Sequence, residues 1–176
     1  MNLPNKLTVV RMIAVPFFIA FFMMGMYPVA LVIFVLASIT DALDGKIARA
    51  RNLVTNFGKI MDPLADKILV YSALCLFIET GNIKGWMLII ILAREFVVAG
   101  MRTVAASEGR VLAAGMSGKI KTVLQMVAVI LMLLGHCLPD IPVISQIGYW
   151  VFLASLVMTV YSGGEYVIQN RDVFSM

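Results

Sequence analysis

Six apolar runs, at about 7–25, 28–49, 62–80, 84–106, 117–137 and 144–168, fill most of this 176-residue chain. Each approaches the ~20 residues with which an α-helix crosses a hydrocarbon core ~30 Å thick. A chain built this way has few choices, because its charges must fit between the spans or be matched inside them. Charged residues make up 14% of the sequence and hydrophobic ones 61%, whereas soluble domains carry about 25% and 45–50%. The expectation is an all-α, polytopic membrane protein with six transmembrane helices, forming one membrane-embedded domain over residues 1–176.

Punctuation between the runs supports these breaks: Gly25 with Pro28, Gly81 with Asn82, Gly115 with Gly118, and Pro139 with Pro142. Met1–Lys6, with Pro4 and Asn5, reads as a short interfacial lead-in before the first span. No small-residue cleavage site follows the first run, so it is expected to be a retained helix. Cys75 and Cys137 both fall in apolar runs, which argues against a disulfide framework.

A net charge of +4 would point to nucleic acid in a soluble protein. Here the basic residues sit at loops and helix ends, and topology accounts for them without a nucleic-acid partner. With both termini cytoplasmic, thirteen basic residues face inward and only Lys84 faces outward. That asymmetry sets the orientation and requires an even number of spans. Asp41 lies 13 residues beyond the outer start of the second span, near Pro28. At ~1.5 Å per residue it is about 20 Å down the core, in the cytoplasmic half of the bilayer.

Asp41 belongs to a stretch with four carboxylates among apolar helices: Asp41 and Asp44, then Asp62 and Asp66. Positions 41, 44, 45 and 48 share one helical face, carrying two aspartates, Gly45 and Ala48. Positions 58, 62, 65 and 66 share another, provided that helix begins early enough. Two such faces would bring four oxygen ligands together, a set suited to hard cations such as Mg²⁺ or Mn²⁺. A pair of such cations offsets four negative charges and clamps both oxygens of a phosphoryl displacement. Asp62 taken alone, followed by Pro63, reads as a helix N-cap rather than a ligand.

The full pattern is D-x-x-D-G-x-x-A-R, eight residues, then G-x-x-x-D-x-x-x-D, met at Asp41, Asp44, Gly45, Ala48, Arg49, Gly58, Asp62 and Asp66. It resembles the motif of the CDP-alcohol phosphotransferases, membrane enzymes of phospholipid synthesis. The resemblance implies that Asp41, Asp44, Asp62 and Asp66 hold two divalent cations, with Asp66 also the general base. It also implies a nucleotide site at Asp41, Gly45, Ala48, Arg49 and Gly58. The flanks LPNKLTVVR, AREFVVAGMR and SGKIKT are similar to the family's bacterial phosphatidylglycerophosphate synthases. That likeness implies CDP-diacylglycerol as donor, sn-glycerol 3-phosphate as acceptor, a homodimer among membrane lipids, and the bacterial cytoplasmic membrane with an active site facing the cytoplasm. By the same likeness Asn5 and Thr8 contact the nucleotide, with helix capping as the alternative.

Choice of acceptor rests on residues outside the motif. Arg102, Arg110, Lys119 and Lys121 gather around the fourth and fifth spans and are candidates for an acceptor phosphate, against interfacial snorkelling. Arg94, beside Glu95 in an apolar run, reads as an ion pair. Ser162, Gly163 and Gly164 read as a kink or a subunit contact. Alternatives are another acceptor, inositol phosphate or serine, and a divalent-cation transporter with the aspartates as permeation site. The one-sided charge distribution argues against the transporter.

Overall fold

Helices occupy all six apolar runs in the computed structural model, which describes residues 3–50, 56–107, 109–110, 112–113 and 115–174. Side chains are described outside 3–6, 41–50, 56–60, 62–63, 66 and 174. The order is α1 (Leu3–Met23), α2 (Tyr27–Ala50), α3 (Asn56–Glu79), α4 (Gly85–Ser107), α5 (Met116–Cys137) and α6 (Pro142–Gln169), followed by a 3₁₀ turn at Arg171–Phe174. Among the described residues there is no strand.

Two helix starts differ from the reading of the apolar runs. α1 begins at Leu3, so Pro4, Asn5 and Lys6 form its first turns and not a separate interfacial lead-in. Proline is tolerated there because first-turn N–H groups have no intrahelical acceptor. Asn5 and Thr8 are thus helical positions, and capping does not account for them. α3 begins at Asn56, six residues before Asp62, which removes the N-cap reading of that aspartate. Both extensions are polar turns, which hydropathy hides although the backbone continues through them.

Tight turns join the helices. Gly25 follows α1 with φ 75°, and Gly81 follows α3 with φ 79°. The amides of Gly25 and Met26 close back onto the Phe22 and Phe21 carbonyls at 2.9 Å each. This left-handed closure satisfies carbonyls that a helix end leaves open, at a conformation only glycine adopts cheaply.

α5 and α6 are the most extensively packed pair, and small residues explain why. A Cβ on Gly135 would lie 2.0 Å from Ser145 Oγ, and one on Gly148 would lie 3.0 Å from the Met132 backbone nitrogen. Backbones approach this closely only across such residues. α1 packs on both α2 and α3, α2 also reaches α5, and α4 packs on α6. The shared core includes Phe18, Phe34, Leu74, Phe77, Ile91, Leu133 and Phe152, all fully buried.

The two ends of the bundle differ in chemistry. At one end Phe22, Tyr27 and Phe77 surround the His136 ring, with Phe77 stacked at 6.0 Å. His136 Nε2 meets Asn82 Oδ1 at 3.0 Å, fastening α5 to the turn between α3 and α4. The opposite end gathers the buried charges. Outward, the helices present large apolar side chains such as Phe17, Leu36, Phe96 and Val157. α5 and α6 are long and apolar enough to cross a membrane, and Leu7–Met23 and Tyr27–Thr40 are shorter apolar stretches. These features fit a membrane protein.

Candidate active site

α2 buries Ala30, Phe34 and Ala37, a stripe at i, i+4 and i+7. Carried on by the same 3.6-residue period, that stripe passes through positions 41, 44 and 48. α3 buries Ala65, Leu69 and Ala73. Carried backwards, its stripe passes through positions 58 and 62, with 66 adjoining. Positions 41, 44, 48, 58 and 62 thus continue the registers of the buried stripes on two helices that the same α1 packs against, and position 66 adjoins the second. The side chains of Asn5, Asp41, Asp44, Gly45, Ala48, Arg49, Gly58, Asp62 and Asp66 lie outside the described residues. Among the residues that are described, no group of three or more His, Cys, Asp or Glu forms a metal cluster. α1 contributes Thr8 and Arg11 at this end, both essentially inaccessible.

Next to this region sits a charge cluster built from four helices. Glu95 of α4 is buried and serves three cations. Lys121 Nζ of α5 donates to Glu95 Oε1 at 2.5 Å, and Arg94 Nη1 reaches the same oxygen at 3.0 Å. Lys67 Nζ of α3, the residue following Asp66, lies 3.0 Å from Oε2. Arg94 Nη2 donates to Ser162 Oγ of α6 at 3.1 Å. Among the described residues, three cations around one carboxylate leave a formal charge of +2 (3 − 1). Lys67 is partly exposed, but the charge of Arg94 and Lys121 is largely covered, and covered charge in excess is costly unless a counter-ion meets it.

Two buried donors point the same way. Arg94 Nε, and Gln125 Nε2 one turn along α5 from Lys121, have no hydrogen-bond partner among the described residues. Surplus positive charge with open N–H donors is the chemistry that receives a phosphate dianion. Glycine makes room for the Arg94 side chain itself. A Cβ on Gly163 would fall 2.9 Å from Arg94 Cγ, and one on Gly118 would fall 3.2 Å from Arg94 Nη2.

The four basic residues expected at an acceptor phosphate are spread by the fold. Lys121 is in the Glu95 cluster and nearly fully buried. Arg102 is exposed, with Nε donating to the Tyr166 hydroxyl at 3.0 Å and its guanidinium 5.4 Å from that ring. Arg110, also exposed, is ion-paired with Asp172. Lys119 is exposed on α5. The Arg94–Glu95 pair read from the sequence is present, but as part of the larger cluster.

Lys67 and Ser162 were not singled out as site residues by sequence reasoning. A lysine directly after the last motif aspartate was the available signal for the first. For the second, the Ser162-Gly163 pair takes the Arg94 side chain against α6, a contact within the bundle.

Comparison with known proteins identifies the family. A family model described as CDP-alcohol phosphatidyltransferase matches residues 1–161. A Bacillus subtilis (strain 168) protein named CDP-diacylglycerol--glycerol-3-phosphate 3-phosphatidyltransferase is 42% identical, over 97% of this chain and 96% of its own. Proteins of the same name from Rickettsia bellii (strain RML369-C) and Sodalis glossinidius (strain morsitans) are 38% and 34% identical. The first covers 98% of this chain and 97% of its own length, the second 99% and 98%. With a match that takes in both halves of the aspartate pattern and relatives that align from end to end, this chain belongs to the CDP-alcohol phosphatidyltransferase family.

Proposed function

We propose that this enzyme transfers the phosphatidyl group of CDP-diacylglycerol to sn-glycerol 3-phosphate, giving phosphatidylglycerophosphate and CMP. The relatives' names supply the reaction. The observation that carries the acceptor is the Glu95 cluster, whose surplus positive charge adjoins the last motif aspartate through Lys67. Serine carries no phosphate and leaves that charge unmatched.

In this reading Arg94, Lys67 and Lys121 receive the acceptor phosphate, with Lys119, Arg102 and Arg110 along its approach. Asp66 takes the proton of the acceptor hydroxyl as its oxygen bonds to the lipid-linked phosphorus. The bond from that phosphorus to the CMP oxygen breaks, and CMP leaves with the electron pair. Gly45, Ala48 and Gly58 give the cytidine nucleotide space, while Asn5, Thr8 and Arg49 bind it. The donor set at positions 41, 44, 62 and 66 is oxygen-only, and 41, 44 and 62 continue the registers of buried stripes with 66 adjoining, which fits two hard cations, Mg²⁺ or Mn²⁺. When bound there, the cations would stabilise the charge developing on the pyrophosphate oxygens.

We extend the same reading to the whole chain as one domain with six spans, both termini cytoplasmic, the site facing the cytoplasm of a bacterial membrane, and two chains per dimer. The position of the buried charges at one end of the bundle supports the orientation. The test is an acceptor panel: with CDP-diacylglycerol and Mg²⁺ or Mn²⁺, the purified protein should release CMP when glycerol 3-phosphate is present. Release with serine or inositol phosphate instead would refute the assignment of acceptor.

A further inference from the structure

Tyr27, Phe77 and His136 fix the register of three helices at one end of the bundle, with the His136 ring 4.8 Å from that of Tyr27 and 6.0 Å from that of Phe77. Eleven residues of α-helix make three turns, about 16 Å along the axis and only about 20° from a full return to the same face. Stepped that far toward the charged end, the three rings lead to Ser38 on α2, position 66 on α3 and Gln125 on α5. α2 runs away from the rings while α3 and α5 run toward them, so the three steps go the same way. Ser38, position 66 and Gln125 therefore share one level, on the helix faces that meet at the rings. On α1 the same step from Phe22 reaches Arg11, which has an interaction of its own.

Two side-chain atoms at this level are unmatched. Ser38 Oγ and Gln125 Nε2 are covered from solvent and have no hydrogen-bond partner among the described residues, and Gln125 is only 3% exposed. A glutamine that merely tied helices together would be bonded across the interface. A buried amide left open costs stability, and a ligand that fills it recovers that cost.

We infer that Gln125 and Ser38 read the middle hydroxyl of the acceptor, an inference that rests on the proposed reaction. Of the two hydroxyls of glycerol 3-phosphate, the terminal one attacks and the middle one is left to be satisfied. Gln125 Nε2 donates to the middle oxygen, and Ser38 Oγ accepts the hydrogen bond from its O–H. Reach is the first argument. Lys121, proposed for the acceptor phosphate, lies one turn before Gln125, a Cβ separation of about 5–6 Å that a three-carbon phosphate ester spans. Lys67, proposed for the same phosphate, directly follows position 66, so the terminal hydroxyl comes to the proposed base while its neighbour lies between α2 and α5. Chemistry is the second. An alcohol oxygen both accepts and donates, and an amide N–H with a serine oxygen answers both. Both groups are neutral, which suits the uncharged part of a ligand whose phosphate sits in the cationic cluster beside them.

The experiment measures CMP release by the full-length protein with Mg²⁺ and two acceptors, glycerol 3-phosphate and 3-hydroxypropyl phosphate, which lacks the middle hydroxyl. Wild type should favour glycerol 3-phosphate at least about tenfold in kcat/KM, because the analogue leaves the buried amide unmatched. Gln125→Met keeps the length and removes the amide, and should bring that ratio within about twofold of unity. Ser38→Ala should lower it part of the way. Equal use of the two acceptors by wild type, or an undiminished ratio in Gln125→Met, overturns the inference.

Thermal unfolding in detergent without acceptor separates this role from a structural one. With an unmatched amide replaced by an apolar chain of its length, Gln125→Met should unfold at or above the wild-type temperature. A lower temperature would show the amide already bonded in the free protein, and would overturn the assignment. If wild type releases no CMP with either acceptor, the proposed reaction fails instead. Thermal shifts of wild type by the two phosphates then decide: a larger rise with glycerol 3-phosphate keeps the inference, and equal rises overturn it.

Discussion

Gly163 and Gly164 are neighbours on α6 with opposite surroundings, and replacing each by alanine separates packing from helix propensity. A Cβ at 163 would lie 2.9 Å from Arg94 Cγ, whereas a Cβ at 164 meets nothing within 4 Å. Ordinary contact begins near 3.4 Å, so Gly163→Ala displaces Arg94 by about 0.5 Å at Cγ (3.4 − 2.9). The guanidinium, further out on the same lever, moves more. Its hydrogen bonds, 3.1 Å to Ser162 Oγ and 3.0 Å to Glu95 Oε1, have little slack. Losing one charge-assisted bond to an acceptor phosphate costs about 1.5 kcal/mol or more, at least about tenfold in binding. Alanine gains about 1 kcal/mol over glycine inside a helix, which at 163 is offset by 1–3 kcal/mol of overpacking. Gly164→Ala keeps the gain. Steady-state CMP release with varied glycerol 3-phosphate, beside thermal unfolding in detergent, reads both effects. Gly163→Ala should raise KM for the acceptor about tenfold with stability level or lower, and Gly164→Ala should leave KM alone. Matching kinetics in the two variants would refute Gly163 as the seat of Arg94, and with it the role of Arg94 at the acceptor.

Other outcomes follow from the same geometry. Asp66→Asn should abolish transfer while CDP-diacylglycerol still binds, measured by equilibrium binding of labelled donor; retained turnover would remove Asp66 as base. Glu95→Gln leaves three cations without their shared carboxylate and should destabilise the fold by about 3–5 kcal/mol in chemical or thermal unfolding, while an unchanged transition would show that the cluster is not structurally coupled. The hydrogen bond from Arg110 holds the Asp172 carboxyl below its usual pKa. A depressed folded pKa means the contact contributes above the unfolded value, about 3.9, and is lost as pH falls through the folded one. Protection of the amides at residues 171–174, measured relative to intrinsic exchange, should therefore fall only in acid, and pH-independent protection would argue against the clasp.

The sequence by itself determined the helices and displayed the aspartate pattern. Apolar runs of spanning length locate six helices within a few residues because, in a chain with 14% charge, hydropathy marks where the polypeptide can be buried. It failed at Leu3 and Asn56, where helices start in polar turns that only continuous backbone hydrogen bonding reveals. The aspartate pattern was legible because its spacing is local: i, i+3 and i+4 on a helix are neighbours whatever else the fold does.

Tertiary structure decided what meets across helices. Lys67, Glu95, Lys121 and Ser162 are far apart in the chain, and no local period links them. They converge because α3, α4, α5 and α6 bring the same end of the bundle to one buried carboxylate. Packing also assigned Gly163 its purpose, since a small residue announces space and only the neighbouring helix says which side chain takes it. Sorting of the basic residues required the fold for the same reason. Lys121 and Lys119 are two apart on α5, so helical geometry turns one to the interior and leaves the other exposed.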